Sequence, residues 1–189
     1  MTASMEDRLL LEQIASGREA AMETFYRRYS NNVYGFAMKT LHNPVDAAEI
    51  LNEVMLEVWK KASNYAGKSS VKTWLLSITH HKAVDLVRRN SRHDHEDETH
   101  IDESAQGIAG SLLDGALADE RGVFVRQCME GLSQSHRQVV HLTFFEECSY
   151  PEIAETLDIP QGTVKTRMMH AKKKLFDCLK KMLGMAAKK

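Results

Sequence analysis

An all-α protein of two small helical domains is the fold the sequence predicts, and three observations predict it. Apolar residues recur at steps of three to five, strand-like alternation is scarce, and the periodic pattern lapses over residues 93–116 before resuming. A chain of 189 residues holds one ordinary domain or two small ones. The lapse favours two, over residues 1–92 and 117–189, with a tether between them.

The first periodic segment places Phe25, Tyr29, Val33, Phe36 and Leu41 on one stripe of a helix from about Arg18 to Leu41. Asn43-Pro44 then supplies an N-cap and a first-turn proline, with Asp46 in the first turn of a second helix. That helix is expected to run to about Tyr65, with Ile50, Leu51, Val54, Met55 and Val58 turned inward. A loop at Ala66-Gly67-Lys68-Ser69-Ser70 breaks the pattern, and a helix carrying Trp74, Leu75 and Ile78 follows from Val71 to about Asn90. The run from His93 to His100 is too polar and acidic to offset the cost of ordering the chain, which predicts a flexible linker. Its histidines His93, His95 and His100 are expected to be solvated and not metal ligands, because nothing near them fixes a ligand geometry.

Periodicity resumes near Leu117 with a helix to Gly131, and Ser133 is expected to cap a helix bearing Val139, Val140, Leu142 and Phe144. Ser149-Tyr150-Pro151-Glu152 is the strongest local signal. It has the spacing of a capping box, opening a short helix with Ile153, Ala154 and Leu157 inside. Asp158-Ile159-Pro160 forms a turn, and a long last helix begins near Gln161, with Val164, Met168, Ala171, Leu175, Leu179 and Met182 spaced three or four apart.

The composition excludes several classes. No apolar run approaches membrane-spanning length, and the segment Met1–Asp7 lacks the basic start and apolar core of a signal peptide, so a cytoplasmic protein is expected. Cys128, Cys148 and Cys178 are widely spaced, with no CxxC among them, and are expected to be separate buried thiols in a reducing compartment. No Ser/His/Asp set, phosphate-binding glycine loop or HExxH pair appears, which argues against an enzyme and implies neither metal nor cofactor.

The net charge of −1 hides strong segregation. Residues 45–59 hold Asp46, Glu49, Glu53 and Glu57 with no Lys or Arg, whereas residues 60–92 hold eight basic residues against Asp85 alone. Residues 93–122 carry nine acids against Arg121, and the chain from residue 160 onward carries nine basic residues against Asp177. Two basic patches separated by an acidic stretch suit a protein that grips nucleic acid at two places; solvated helix faces are the plainer alternative. The short capped helix, turn and second helix make a helix-turn-helix whose last member displays Lys165, Thr166, Met169, His170 and Lys173 away from its apolar stripe. Helical hairpins with a basic outer face also occur in proteins that never meet DNA.

The motif Ser149-Tyr150-Pro151-Glu152-Ile153-Ala154, followed by Gly162-Thr163-Val164-Lys165-Thr166-Arg167, resembles the C-terminal promoter-binding region of extracytoplasmic-function sigma factors of bacterial RNA polymerase. The segment Leu132 to Val140 is similar to the helix that precedes it in that family, with Ser133 in place of the usual proline. In the N-terminal half, Asp46-Ala47-Ala48-Glu49 with Asn52-Glu53-Val54 resembles the region 2 helix that binds polymerase. Lys72-Thr73-Trp74-Leu75 and Asp85 to Arg89 resemble the segment that recognises and melts the −10 element. The resemblance covers about residues 20–92 and 117–180, in the family's order and spacing.

The resemblance implies a region 2 helical bundle, a region 4 helix-turn-helix and a set of roles. Asp46, Glu49, Asn52, Glu53 and Glu57 would dock on the clamp helices of the polymerase's largest subunit, and region 4 on the flap. Tyr65, Lys68 and Ser69 would belong to the loop that takes an extruded −10 base, with Lys72, Lys82, Arg88, Arg89 and Arg92 on phosphates. Trp74 reads as a core anchor and not as a stacking platform. His80 and His81 stand where the family commonly has Arg-Asn, which would alter what this helix offers to a base; ordinary helix-surface residues are the equal alternative. Lys165, Thr166, Met169 and His170 would read the −35 element or its backbone, with Arg167 and Lys173 on phosphates. Promoter DNA, core polymerase and an anti-sigma factor are the partners implied. A response-regulator-type factor would need an α/β receiver domain, at odds with a helical N-terminal half. A sigma-like decoy would have little need of the basic residues kept at 60–92 and 165–174.

Overall fold

Every described element is helical. The computed structural model describes the backbone over residues 3–93 and 120–186, and the side-chain environments over 5–90 and 123–184. In chain order the helices are α1 (Ala3–Ala15), α2 (Glu19–Leu41), α3 (Pro44–Lys61), a 3₁₀ turn (Ala62–Asn64), α4 (Val71–His93), α5 (Glu120–Glu130), α6 (Gln134–Phe144), α7 (Tyr150–Leu157) and α8 (Gln161–Ala186). They divide into two compact units, one built on α1–α4 and the other on α5, α6, α8 and most of α7. The expected linker lies mainly outside the described residues, except that His93 closes α4.

In the first unit α2 is the central helix, packed on α1, α3 and α4. Its stripe Phe25, Tyr29, Val33 and Phe36 is buried as expected, together with Ile50, Val54, Met55 and Val58 of α3 and Val71, Leu75, Leu76 and Ala83 of α4. Two buried threonines satisfy their hydroxyls on the preceding turn: Thr40 donates to the Phe36 carbonyl at 3.1 Å and Thr79 to that of Leu75 at 2.9 Å. The start of α3 is built as the residues dictate. Asn43 Oδ1 accepts from the Val45 N–H at 2.9 Å and the Asp46 N–H at 3.3 Å, and Pro44 occupies the first turn. The α3 helix ends earlier than periodicity suggests, because the chain tightens into the 3₁₀ turn before Tyr65.

The α1 helix has no counterpart among the sequence expectations. Among its described residues, Leu11 and Ile14 are the fully buried apolar ones, a stripe too short to show a period, so the helix depends on its neighbours. Arg28 of α2 bonds the Asp7 carboxylate and lies 3.7 Å from that of Glu6. Gly17, at φ +81°, turns the chain from α1 into α2 in a conformation that favours glycine.

At the seam of α3 and α4, Lys82 Nζ stands 3.1 Å from a carboxylate oxygen of each of Glu53 and Glu57, and Lys61 Nζ lies 3.0 Å from the other oxygen of Glu57. Burial alone would raise the Glu57 carboxyl, but hydrogen bonds from Lys61 and Lys82 hold it below its ordinary value. Burial would likewise lower the Lys82 ammonium, and the two carboxylates outweigh it and raise it.

In the second unit Leu132, Val139, Val140, Leu142, Val164, Met168 and Ala171 are buried, with Leu175, Leu179 and Met182 half-buried further along α8. Two expectations are corrected. Cys128 and Cys178 are not separate thiols: α5 packs along α8, brings their Cα atoms to 5.7 Å, and a disulfide joins them. Cys148 is a buried free thiol, as expected. Ser133 occupies the N-cap position of α6 without capping it, and its hydroxyl lies 2.9 Å from a ring nitrogen of His136 instead. Phe144 is 58% exposed at the end of α6, beside an exposed Phe145, because the inward positions there go to His141 and Leu142. His141 and Glu146 are buried together, 3.4 Å apart.

This packing has two measurable consequences. The disulfide closes a span of 50 residues, so Cys178→Ser or a reductant should destabilise the α5–α8 unit by roughly 2–4 kcal/mol. Calorimetry of the full chain with and without reductant measures this; coincident traces would refute it. Lys82→Met keeps the apolar stem and removes the charge. Because the Glu57 carboxyl is depressed in the fold, the lysine's contribution is present above the unfolded carboxylate range, about pH 4.3, and is lost as pH falls through the lower folded value. Urea titrations should therefore separate Lys82→Met from the parent at pH 7 and narrow the gap progressively as pH falls below the ordinary carboxylate range.

Candidate nucleic-acid interface

The α3 helix buries one side in the core, and its opposite side presents Val45, Glu49, Asn52, Leu56 and Trp59. Of the five residues expected to form one docking flank, Glu49 and Asn52 lie fully on this outer face and Asp46 is half-exposed beside it. Glu53 and Glu57 sit round the helix at the α4 seam, bonded to Lys82. Sequence reasoning passed over the apolar members of the face. Val45 is 72% exposed and Leu56 is 52% exposed, and they share the outer side with Trp59, which borders a groove with Met22 and Tyr26 of α2. With Glu49 and Asn52 between them, these residues step by three or four along one face, and Val45, Leu56 and Trp59 are its apolar members, a signal present in the sequence.

The α4 helix and the loop before it form a second surface. Ser70 Oγ accepts from the Thr73 N–H at 3.0 Å and so caps α4. The Tyr65 hydroxyl donates to the Ser69 carbonyl at 2.5 Å, and the Tyr65 ring stands 5.4 Å from that of Trp74. Trp74 packs against the core, in keeping with an anchor. Between these fixed ends the loop turns through Gly67 at φ +68°, leaving Lys68 exposed at its tip. Along α4, His81, Arg88 and Arg89 are exposed and Lys72 half-exposed. His80 is half-buried with its ring 6.3 Å from that of Phe36, whereas His81 Nδ1 bonds the Ser77 carbonyl at 2.7 Å. A carbonyl only accepts, so Nδ1 carries the proton, and in the neutral ring Nε2 is left as an acceptor. Lys82, by contrast, already faces two carboxylates and is poorly placed for a phosphate.

The third surface belongs to α8. The Glu152 carboxylate accepts from both the N–H and the hydroxyl of Ser149, at 2.9 and 2.7 Å, and fixes the start of α7. The hydroxyl thus donates to the carboxylate, a variation on the reciprocal box that the spacing suggests. Asp158, at φ +51°, ends α7, and the Pro160 carbonyl accepts from Thr163 and Val164 to open α8. With Val164, Met168 and Ala171 buried, Lys165, Thr166, Met169, His170 and Lys173 project outward and Arg167 is half-buried at the edge. The positive field of this face registers on its neighbour. Burial first, then Lys174, His170 and Arg167, push the His136 imidazole below its ordinary value.

These surfaces have known counterparts. Residues 25–93 match the family model for Sigma-70 region 2, and residues 125–175 match that for Sigma-70 region 4. The chain is 32% identical over 171 residues to the ECF RNA polymerase sigma factor SigK of Mycobacterium ulcerans, covering 90% of this chain and 91% of the relative. It is 31% identical over 175 residues to SigK of Mycobacterium bovis, with the same coverage. Among solved structures, CnrH in complex with the cytosolic domain of CnrY superposes with a TM-score of 0.64 at 22% identity, over 92% of this chain and 97% of that one. The sigma factor RpoE bound to the anti-sigma factor NepR, from Bartonella quintana, also gives 0.64, at 20% identity over 84% and 96% of the two chains. The agreement in fold, in both regional motifs and over nine-tenths of the relatives' length has one meaning: this chain belongs to the extracytoplasmic-function family of RNA polymerase sigma factors.

Proposed function

We propose that this sigma factor divides its work among the three surfaces. Residues 117–189 act as region 4 and read the −35 element through α8, residues 1–92 act as region 2 and engage the −10 element, and residues 93–116 link them. The observation that carries the reading is the outer face of α8, where five side chains that the core does not need project from a helix of groove-fitting width. Lys165, Thr166, Met169 and His170 meet base edges or adjacent backbone, and Arg167 and Lys173 meet phosphates. In region 2, Tyr65, Lys68 and Ser69 line the path of an extruded base, Lys72, Arg88 and Arg89 hold phosphates, and His81 offers Nε2 to a base that donates, such as adenine or cytosine.

The outer face of α3 docks on the clamp helices of core polymerase, with region 4 on the flap. Asp46, Glu49 and Asn52 make the polar contacts, Leu56 and Trp59 supply apolar area, and Glu53 and Glu57 act from the seam through Lys82. The protein works in the cytoplasm without catalysing a reaction of its own and needs no cofactor. Because two solved neighbours are complexes with CnrY and with the anti-sigma factor NepR, an anti-sigma partner that holds this chain inactive is part of the proposal.

Lys165→Ala with Arg167→Ala should weaken binding of the holoenzyme to −35 duplex and reduce the slope of log K against log salt by about 0.9 for each phosphate that is no longer neutralised. Equal slopes for variant and parent would exclude the assignment. Glu49→Lys with Leu56→Ala, both exposed and outside the core, should cut assembly with core polymerase at least about tenfold while leaving thermal unfolding unchanged. Undiminished co-purification with core enzyme would rule out this face.

A further inference from the structure

The loop between the 3₁₀ turn and α4 is held at its ends by the Tyr65 hydroxyl on the Ser69 carbonyl and by the Ser70 cap. Its middle is held from elsewhere. Arg8 of α1 reaches across 59 residues of sequence and donates from Nη2 to the Gly67 carbonyl at 3.0 Å. The guanidinium also lies over the glycine itself. A Cβ at Gly67 would stand 3.3 Å from Arg8 Nη2 and 3.5 Å from its Cζ, at a φ of +68° that disfavours any other residue. A cleft of about 260 Å³ opens beside this contact, lined by Arg8, Glu12, Tyr65, Ala66 and Gly67 among others.

The helix that carries Arg8 is well secured. Leu11 and Ile14, one and nearly two turns further along, are buried in the core, and the adjacent Asp7 is bonded to Arg28 of α2. Arg8 therefore projects from a fixed support onto the loop's most permissive residue. The α1 helix also lies before residue 25, outside the stretch that matches Sigma-70 region 2.

We propose that Arg8 is a positioning residue for base reading: by holding the Gly67 carbonyl it fixes the loop in the one shape that accepts the extruded base. The proposal rests on the reading of residues 65–70 as the base-taking loop. Without the hold, the chain through Gly67 samples other backbone conformations, and part of the binding energy of each base goes into reordering it. The loss falls on the base that the loop encloses and spares bases and phosphates met elsewhere.

The test uses the full-length chain and a pool of single-stranded DNA 12-mers randomised at six positions, with bound molecules sequenced, alongside hydrogen exchange of the amides of residues 66–70. For Arg8→Ala the expected result is faster exchange in the loop. Enrichment should also fall, on the order of three- to tenfold, at one position of the bound sequences while the other positions and the thermal midpoint stay put. Arg8→Lys, which can still donate to the carbonyl, should recover part of both. Gly67→Ala should reproduce the loss, and the double variant should add little to it, because both act on one interaction.

Unchanged enrichment with Arg8→Ala, in a parent that does select a base, would overturn the brace and leave the loop reading standing. Uniform weakening at all positions with a flatter salt dependence would also overturn it, making Arg8 a phosphate contact. A parent that enriches no base would remove the loop reading and the brace together.

Discussion

The first unit depends on the burial of the α2 stripe. Phe25, Val33 and Phe36 are fully enclosed, and their enclosure draws α3 and α4 against the same helix. Once Ile50, Val54 and Val58 are committed to that core, the 3.6-residue period leaves no choice about what α3 shows outside: Val45, Glu49, Asn52, Leu56 and Trp59. The same holds for α8, where burial of Val164, Met168 and Ala171 turns Lys165, Thr166, Met169 and His170 outward. The proposed contacts are thus by-products of apolar packing. Each interface is as rigid as the helix that carries it, which suits recognition of a duplex of fixed geometry.

Electrostatics then sorts the charges into those that hold helices together and those that face outward. Charge segregation along the chain suggests that basic residues 60–92 form one patch and acids 45–59 another. In the fold the two runs meet. Lys82 is taken up by Glu53 and Glu57, while Lys68 stays exposed at the loop tip and Arg88 and Arg89 on α4. The acidic flank resolves in the same way into an outward part, Glu49 with Asn52, and a part that secures α3 to α4. A count of charges cannot make this distinction, because it depends on which turns of two helices lie side by side.

Local features were the ones open to reading from sequence. Asn43-Pro44 and Ser149 with Glu152 act within three residues of themselves: the Asn43 cap and the bond from the Ser149 N–H to the Glu152 carboxylate form as expected, while the Ser149 hydroxyl donates to that same carboxylate. The stripes of α2 and α8 were equally plain, being long enough to show their period. Features that need a distant partner were hidden. The Cys128–Cys178 bond requires knowing that α5 lies along α8, and α1 requires knowing that Leu11 and Ile14 meet α2. Ser133 misled in another way: it has the right residue type at the right position, but His136 one turn later engages the hydroxyl. Phe144 is apolar, yet its place at the end of α6 points it to solvent, which its hydrophobicity alone does not reveal.

The ammonium group of Lys82 joins the helix proposed to fasten onto polymerase to the helix proposed to touch the −10 strand. On that reading, promoter choice and enzyme attachment share a hinge pin. A lineage drifting toward a new −10 preference by altering this stretch of α4 would loosen its purchase on polymerase at the same step. Evolution of specificity would then be channelled toward residues that lie clear of the seam, such as His81 and the tip of the loop.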